Sequence, residues 1–339
     1  MSRRRPSRAS RPRETERSLV AWLAGQRGTG GLVGDDAAML PPRADHVVTV
    51  DFQIAGVHFP PDLDPAILAK RLLAVNLSDL AAMGARPAHA FLALAAPASF
   101  GHRAFFRSLL REATRHGLTL AGGDLARAPS ICASLTLIGE RWPRAQRWLR
   151  RSDARPGDRM FLGGTVGESA LGLELVRRGA RLAPRGVTLP RGLALPAELD
   201  RAARRAVRRH LLPRPQLELG AWLARQRRGA AIDVSDGVAR DLHRLCEASG
   251  VGAVIEVDLL PGPASLAKLA AGLGCDPLEL QLGGGEDYVL LFTLPPDHAP
   301  PPRLRCRHVG RIERRRTGLL LDRGGRTQPL PDLGWDHWS

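Results

Sequence analysis

The sequence predicts an α/β protein with two domains, and three observations support this prediction. Short apolar, β-branched stretches alternate with longer stretches of helical period, a pattern typical of layered α/β folds. The chain has 339 residues, more than a single hydrophobic core usually serves. Hydrophobic residues make up 44% of the chain and aromatic residues only 4%, so Ala, Leu and Val must fill the cores.

The N-terminus is predicted to be a disordered basic tail, because residues 1–17 contain seven arginines and no apolar period. The net charge of +16 comes almost entirely from arginine, since the only lysines are Lys70 and Lys268. The arginines are spread along the chain without the interleaved aromatic residues on which single-stranded nucleic acids stack. A solvated, arginine-rich surface is therefore favoured, and we expect no nucleic-acid partner.

The first predicted domain, residues 18–150, has strands and helices in the order β-α-β-α-β-β after a short helix at 18–27 and a glycine-rich loop. Its predicted elements are a strand at 46–59, a helix that begins at Pro65 and includes 70–87, a strand at 88–97, a helix at 102–116, a strand followed by a loop within 118–129, and a strand at 130–140.

The second predicted domain, residues 151–339, begins with a turn at Pro156-Gly157. A strand, a glycine loop at 163–169 and a helix follow, and the Pro- and Gly-rich residues 180–200 predict an exposed excursion. The remaining elements are a strand that continues into a helix at 231–250, with Ser235 or Asp236 as its N-cap, a strand at 252–261, a glycine loop entering a strand at 280–295, and a strand at 307–313.

The four cysteines are far apart and form no C-x-x-C pair, which argues against a zinc site or a disulfide framework. The basic N-terminus is not followed by the apolar stretch of a secretory signal. No apolar run approaches the ~18 residues that span a bilayer. These observations predict a soluble, cytoplasmic protein without a membrane partner.

The predicted helix at 70–87 has an apolar surface on nearly every side, yet Asn76 and Asp79 share one of its faces. An unpaired ionised carboxylate is unfavourable in such surroundings. Further acids stand where apolar strands or glycine runs end. They are Asp35, Asp36, Asp51, Asp124, Asp233, Asp236, Glu286 and Asp287.

Any one of these acids has an ordinary explanation, such as a turn role for Asp35 or Asp36 and an N-cap role for Asp236. Gathered in one crevice, however, they would repel each other unless hard cations were bound between them. Mg²⁺ prefers oxygen ligands, and the lack of His and Cys clusters argues against zinc. Such a site suits phosphoryl transfer.

The usual nucleotide-binding motifs are missing from the sequence. Lys70 is followed by Arg71 and Lys268 by Leu269, so neither lysine belongs to a P-loop, and residues 163–169 lack the P-loop lysine. The H-R-D and D-F-G signatures of protein kinases are also absent. A phosphotransferase of this sequence would use metals and arginine instead.

Nine motifs together resemble the thiamine-monophosphate kinase family, within the aminoimidazole-ribonucleotide-synthetase superfamily, from about Gly30 to Trp338. In chain order they are GDDAA, VDFQIAGVHF, AVNLSDLAAMGARP, GGD, RSDARPGD, RHLLPRP, DVSDG, GGGEDYVLLFT and GWDHW. The sister family of selenophosphate synthetases fits poorly, since no reactive Cys precedes the first acidic motif.

The resemblance implies a two-domain aminoimidazole-ribonucleotide-synthetase-like fold whose N-terminal sheet forms a barrel with its twin in a homodimer. It implies an ATP- and metal-binding function for residues 18–150. The implied reaction is direct, in-line transfer of phosphate from ATP to thiamine monophosphate, giving thiamine diphosphate, with several Mg²⁺ ions between the domains and K⁺ as a further candidate cation.

The resemblance also assigns residues by motif. The metal-liganding positions are Asp36, Thr49, Asp51, Asp79, Asp124, Asp233, Ser235 and Asp236. The catalytic residues are Asp36, Asp51, Asp79, Asp124, Arg151 and Asp236. The ATP contacts are Gly123, Asp124, Arg151, Ser235 and His116. His116 stands where the family often has an aromatic residue near the base of ATP. The thiamine-phosphate contacts are His58, Glu286 and Trp335.

These roles are chemically reasonable, and alternatives to them exist. Arginine binds phosphate oxygens bidentately, and an indole can lie against a cationic heterocycle. Trp335 could instead be a packed C-terminal anchor, and His58 a satisfied core imidazole. The rival functions are an ATP-dependent enzyme with another small phosphorylated substrate, and a catalytically weak paralogue or arginine-rich binding protein that keeps the scaffold.

Overall fold

The computed structural model describes residues 38–39 and 46–335, which belong to one unit, Asp35–Trp335. The predicted tail at 1–17, the predicted helix at 18–27 and the candidate ligand Asp36 lie outside the described residues. The described chain is mixed α/β, as predicted, and contains a five-stranded and a seven-stranded sheet.

The five-stranded sheet has the order β1-β2-β5-β3-β4 and is antiparallel except for the parallel pair β3–β4. Its strands are β1 (Ala38–Met39), β2 (His46–Ile54), β3 (Ala85–Ala96), β4 (Thr119–Arg127) and β5 (Cys132–Arg141). Two helices accompany it, α1 (Pro65–Ala82) and α2 (His102–Arg115).

The seven-stranded sheet has the order β14-β13-β10-β12-β6-β11-β9, and only β10 and β13 pair in parallel. Its strands are β6 (Arg159–Leu162), β9 (Ala231–Asp233), β10 (Val251–Glu256), β11 (Leu290–Leu294), β12 (Arg307–Arg314), β13 (Leu319–Arg323) and β14 (Arg326–Pro329). The helices of this half are α3 (Glu168–Arg177), α4 (Ala197–Leu211), α5 (Leu217–Leu223), α6 (Val238–Ser249), α7 (Ser265–Leu273) and α8 (Pro277–Gly283).

Helix α1 is almost entirely buried and is central to the main core. It begins where predicted, because the Asp64 carboxylate caps it by accepting from the backbone N–H of Ala66 at 2.8 Å and Pro65 occupies its first turn. It ends five residues earlier than predicted. Gly84 adopts φ +65° just beyond the helix, and this turn leads directly into β3.

Strand β2 shows the period of two that separates the faces of a sheet. The side chains of Val47, Thr49 and Gln53 are buried, whereas Val50 and Phe52 on the opposite face are each 54% exposed. The buried face of β2 is directed at α1, where Thr49 contacts Asp79 and Gln53 contacts Arg71. Two of the candidate metal ligands therefore belong to the inner face of this sheet.

Three local predictions are wrong. The loop expected after Leu120 is the second half of β4, which is a continuous strand to Arg127. The N-cap of α6 is Gly237, and neither Ser235 nor Asp236 caps it. The predicted excursion at 180–200 contains a two-stranded hairpin, β7 (Arg181–Ala183) and β8 (Gly186–Thr188), whose central residues pack into the main core.

Within residues 38–39 and 46–335 the five-stranded sheet is open, with β1 and β4 at its edges, and forms no closed barrel. None of the helices described here has the length and apolar character needed to cross a membrane.

Replacing either of two helical glycines with alanine should change the stability in opposite directions. A Cβ on Gly220 of α5 would lie 2.2 Å from the carbonyl oxygen of Ala81 in α1, whereas a Cβ on Gly272 of α7 would meet nothing within 4 Å. We expect Gly220→Ala to lower the free energy of unfolding by about 1–3 kcal/mol, because the two helices must move apart. Gly272→Ala should raise it by up to about 1 kcal/mol. Urea unfolding of both variants checks this, and equal effects would contradict the close packing of α1 and α5.

Candidate active site

Strand β2 and helix α1 lie against each other with matching side-chain spacing. Thr49 Oγ1 donates a hydrogen bond of 2.5 Å to Asp79 Oδ2, and Arg71 Nε donates one of 2.8 Å to Gln53 Oε1. Four strand residues and eight helix residues each rise ~12–13 Å, so both pairs form at once. Asp51 shares the inner face of β2 and lies between the two contacts.

Arg71 is fully buried and connects α1 to the second half of the chain. Besides Gln53, its guanidinium donates to the backbone carbonyl of His210 and to Glu286 Oε1. His210 Nδ1 lies 3.0 Å from Glu286 Oε2. Burial acts to raise the pKa of Glu286, but the charges of Arg71 and His210 outweigh it and hold that pKa at about 2. Glu286 is therefore a carboxylate with both oxygens engaged.

The loop that contains Glu286 has an unusual backbone. Glu286 and Tyr288 adopt φ +53° and +48°, conformations that are uncommon outside glycine. Two backbone hydrogen bonds hold the loop, from Glu286 N to Ser235 O at 2.6 Å and from Tyr288 N to Val234 O at 2.8 Å. The glycine loop and the DVSDG segment are therefore fixed side by side.

Asp287 connects the same loop to the start of α3. Its buried carboxylate accepts hydrogen bonds from the backbone N–H groups of Gly167 at 2.7 Å and Ser169 at 3.1 Å, where α3 begins. Burial raises the pKa of Asp287 to about 6. Asp287 thus ties the loop to α3, and Glu286 is directed to Arg71.

Asp233 and Ser78 join the end of β9 to α1. Ser78 Oγ donates a hydrogen bond of 2.7 Å to Asp233 Oδ2, and both side chains are buried. Ser78 precedes Asp79 on the helix. The contact therefore brings the DVSDG segment to the same stretch of α1 that holds Asp79.

Asp241 organises the DVSDG turn. Its Oδ2 accepts hydrogen bonds from the backbone N–H of Ser235 at 3.1 Å and of Asp236 at 3.0 Å. Arg244 Nη1 donates to Asp241 Oδ1 at 2.9 Å and to Asp236 Oδ2 at 2.5 Å. Burial and the nearby charge of Asp236 raise the pKa of Asp241 to about 7.

The pKa of Asp51 depends on charged groups from all of these segments. Burial raises its pKa to about 7, the charges of Asp236 and Glu286 add to the rise, and Arg71 opposes it. Carboxylates from β2, the DVSDG turn and the glycine loop therefore influence one another directly. The donors in reach are hard oxygen atoms, which fits Mg²⁺. In the described part of the chain, no three His, Cys, Asp or Glu residues are grouped closely enough to hold a metal ion, so the ligand set stays a prediction.

Arg151 lies in a single 3₁₀ turn, Arg151–Asp153, beside α6. Its carbonyl oxygen accepts a hydrogen bond of 2.6 Å from Ser249 Oγ at the end of that helix. The charge of Arg151 acts on both Asp241 and Arg244. The predicted phosphate-binding arginine is therefore next to the DVSDG turn.

His58 and Trp335 have defined local partners. His58 Nδ1 accepts a hydrogen bond of 3.0 Å from the backbone N–H of Ile54, so the neutral ring carries its proton on Nε2. The backbone N–H of Trp335 donates to Asp236 O at 3.0 Å, and its carbonyl accepts from Arg240 at 2.6 Å. The Trp335 residue is 47% exposed, so its backbone is anchored while the ring reaches solvent beside Asp236.

Gly123 and Asp124 are not brought to this cluster. By register, Asp124 lies in one row with Ala93 and Phe52, whereas Asp51 belongs to the adjacent row, which faces the other side of the sheet. Asp124 is exposed on the edge strand β4, where its Oδ1 accepts from the backbone N–H of Leu125. Its metal and catalytic roles stay predictions.

His116 lies apart from the carboxylates, at the end of α2. It lines a cavity of about 440 Å³. Leu73, Ala74 and Leu77 of α1 form an apolar wall of this cavity, and Lys70, Arg208 and Arg214 line it as well. Burial lowers the pKa of His116, so the neutral imidazole is favoured there.

Sequence reasoning missed Arg71, Asp241, Arg244 and His210. Arg71 had a detectable signal, since it and Lys70 are the only polar residues between Ala66 and Val75 of this helix. Asp241 lies five residues after Asp236, in the first turn of the predicted helix, and an acid there can accept hydrogen bonds from the backbone N–H groups that precede the helix. Nothing in the sequence pairs Arg71 with Glu286, which is 215 residues away.

Comparisons with known proteins agree with this arrangement. Residues 34–140 match the family described as AIR synthase related protein, N-terminal domain. The chain is 41% identical to the thiamine-monophosphate kinase of Salmonella typhimurium over 78% of this chain and 76% of that protein. It is 35% identical to the thiamine-monophosphate kinase of Escherichia coli K12 over 91% of each chain.

A solved structure described as AaThiL complexed with AMPPCP and TMP is similar along nearly the whole chain. It has a TM-score of 0.80 at 28% identity and covers 95% of this chain and 97% of its own. The fold is therefore that of the aminoimidazole-ribonucleotide-synthetase superfamily, as expected from the sequence. With this agreement in sequence and structure, the chain belongs to the thiamine-monophosphate kinase family.

Proposed function

We propose that this protein phosphorylates thiamine monophosphate with ATP in one direct, in-line step, giving thiamine diphosphate and ADP. The convergence of three distant segments on helix α1 carries this proposal, since Thr49 contacts Asp79, Asp233 contacts Ser78 and Glu286 contacts Arg71. Two relatives named as thiamine-monophosphate kinases and a similar structure with AMPPCP and TMP support it. We further propose that residues 18–150 form the ATP- and metal-binding domain and residues 151–339 the second domain.

In this proposal the nucleotide phosphates lie near Arg151 and Ser235, and the base lies toward the cavity beside His116. Asp51, Asp79, Asp233 and Asp236 would hold Mg²⁺, which neutralises the charge of the phosphates when bound. The apolar wall of that cavity favours a planar base, and its arginines favour phosphate or sugar oxygens.

Thiamine monophosphate would be bound by groups with complementary charge. The Nε2–H of His58 donates to a phosphate oxygen, and the Trp335 ring lies against the cationic heterocycle. Glu286 supplies negative charge nearby, although Arg71 and His210 already balance part of it. The phosphate oxygen of the bound substrate attacks the terminal phosphorus of ATP, and the bond from that phosphorus to the bridging oxygen breaks to release ADP.

We also propose that the exposed face of the five-stranded sheet pairs with a second copy of the chain. Three large apolar side chains are exposed on this face: Val50, Phe52 and Phe91. A patch of this kind on a soluble domain usually marks an interface. Light scattering during size-exclusion chromatography tests it, with a dimer expected and Phe52→Glu expected to give monomers.

The function is tested by incubating purified protein with ATP, Mg²⁺ and thiamine monophosphate, with and without K⁺. We expect thiamine diphosphate and ADP in equal amounts, and no product after Mg²⁺ is chelated. ADP release that does not depend on thiamine monophosphate would favour another small phosphorylated substrate. Absence of turnover together with tight, salt-sensitive binding of polyanions would favour the arginine-rich binding protein.

Trp335→Ala should raise KM for thiamine monophosphate about 5- to 30-fold with little change in kcat, because a cation–π contact is lost on binding. The backbone hydrogen bonds of residue 335 to Asp236 and Arg240 remain in this variant. Steady-state kinetics measure both constants, and Trp335→Phe should recover part of the loss. An unchanged KM in the alanine variant would favour the role of Trp335 as an anchor.

A further inference from the structure

Arg244 is anchored by only one of its three guanidinium nitrogens. Both of its hydrogen bonds leave from Nη1, to Asp236 Oδ2 and to Asp241 Oδ1. Within the described residues, Nη2 and Nε of Arg244 donate to no protein acceptor. The side chain is 30% exposed, so the unused edge of the guanidinium reaches solvent.

The surroundings of this unused edge suit an anion. Arg151 is close enough for its charge to act on Arg244 and Asp241. Two guanidinium groups therefore lie beside the DVSDG turn, and the fixed carboxylates of Asp236 and Asp241 hold one of them in place. A guanidinium fork presents parallel N–H groups that match phosphate oxygens, and an anchored side chain loses little entropy when it binds.

We propose that Arg244 binds a phosphate group of the nucleotide, as a second arginine beside Arg151. This inference rests on the proposed function, which brings the nucleotide phosphates to this turn. Asp241 keeps its backbone hydrogen bonds to Ser235 and Asp236 throughout and serves as the fixed anchor for Nη1. The Nη2 and Nε groups then donate to phosphate oxygens.

A purely structural role for Arg244 makes a different prediction. If its only task were to neutralise Asp236 and Asp241, any cation of similar reach would replace it. Lysine keeps the charge but lacks the fork that donates to carboxylates and phosphate together. Arg244→Lys therefore separates the two roles, and Arg244→Met removes both.

The test is calorimetric titration of the full-length variants with AMPPCP in the presence of Mg²⁺. We expect the Kd for AMPPCP to rise about 10- to 100-fold in Arg244→Met, as for the loss of hydrogen bonds to a charged group. Arg244→Lys should have the thermal unfolding midpoint of the wild type, but its Kd for AMPPCP should stay raised. The Kd for thiamine monophosphate should not change. Arg316→Met removes the same charge from an exposed turn and should bind AMPPCP like the wild type.

Two results would overturn the inference. One is a Kd for AMPPCP in folded Arg244→Met equal to that of the wild type, and the other is full recovery of the Kd in Arg244→Lys. Failure of the proposed function has a different signature. In that case the wild type makes no thiamine diphosphate, while the AMPPCP titrations of the variants still decide the role of Arg244.

Discussion

We expect Arg71→Met to lower the free energy of unfolding by about 3–5 kcal/mol, the usual cost of removing one partner from a buried ion pair. Arg71 is fully buried and donates to Gln53, to the carbonyl of His210 and to Glu286. Methionine has a similar length but satisfies none of these acceptors. Among the residues that the structure describes, the carboxylate of Glu286 would then keep only His210 as a partner.

Arg86→Met is the matched control for this prediction. Arg86 pairs with Glu140 on the surface of the five-stranded sheet, where their side chains are 45% and 30% exposed. Its loss should cost no more than about 1 kcal/mol. Urea unfolding of both variants gives the two values, and similar losses would show that Arg71 does not carry a buried interaction.

A double-mutant cycle measures how much of the stabilisation by Arg71 comes from its pair with Glu286. If the pair with Glu286 dominates, Arg71→Met combined with Glu286→Gln should cost less than the sum of the single changes, with a coupling of about 0.5–3 kcal/mol. Arg71→Lys should give an intermediate stability, because an ammonium cannot reach three acceptors in one plane. Additive effects would mean that the contacts to Gln53 and His210 matter more.

The sequence predicts the elements of this fold better than it predicts their ends. Pro65 predicts the start of α1 because its signal is local, and in the structure the Asp64 carboxylate caps this start. The sequence predicts the end of α1 too late, since Ala, Met and Leu favour helix and outweigh a single glycine. The structure ends the helix before Gly84 because β3 pairs with β5 from Ala85 onward, and this pairing is not a local property.

The wrong prediction of a loop around Asp124 has a similar cause. Gly122 and Gly123 indicate a turn when the sequence is read locally. In the structure Gly123 lies inside β4 with φ +151°, and a Cβ there would be 1.9 Å from the carbonyl oxygen of Leu92. The glycine therefore allows close approach of β4 to β3. Only the tertiary structure distinguishes this use of glycine from a turn.

The sequence predicts the acids of the site and Arg151, but it does not predict Arg71 or Arg244. Motifs bring out Asp51, Asp79 and Asp236 because carboxylates next to apolar strands are conspicuous. Arg244 is one among many arginines in this chain, so nothing local distinguishes it, and the apolar residues around Arg71 do not indicate its partners. Their roles follow from contacts across long sequence separations, such as the 215 residues between Arg71 and Glu286.

Asp79→Asn should reduce kcat at least about 100-fold while the free energy of unfolding stays nearly the same. Changes outside the direct ligand shell of a metal already cost 10- to 100-fold, and the proposal places Asp79 in the ligand shell. Asparagine keeps the shape of the side chain, and its amide oxygen can still accept the hydrogen bond from Thr49 Oγ1. Loss of the charge therefore weakens the binding of Mg²⁺ without opening the contact between β2 and α1.

Two further measurements make this prediction specific to the metal. Raising the Mg²⁺ concentration should restore part of the lost kcat in Asp79→Asn, because a weakened site is filled at higher concentration. The control is Asp62→Asn, since Asp62 is exposed and its ion pair with Arg181, at 2.8 Å, lies on the surface. That variant should have the kcat of the wild type at every Mg²⁺ concentration. Full activity of Asp79→Asn at low Mg²⁺ would show that the carboxylate of Asp79 binds no catalytic metal, and its contact with Thr49 would then be structural.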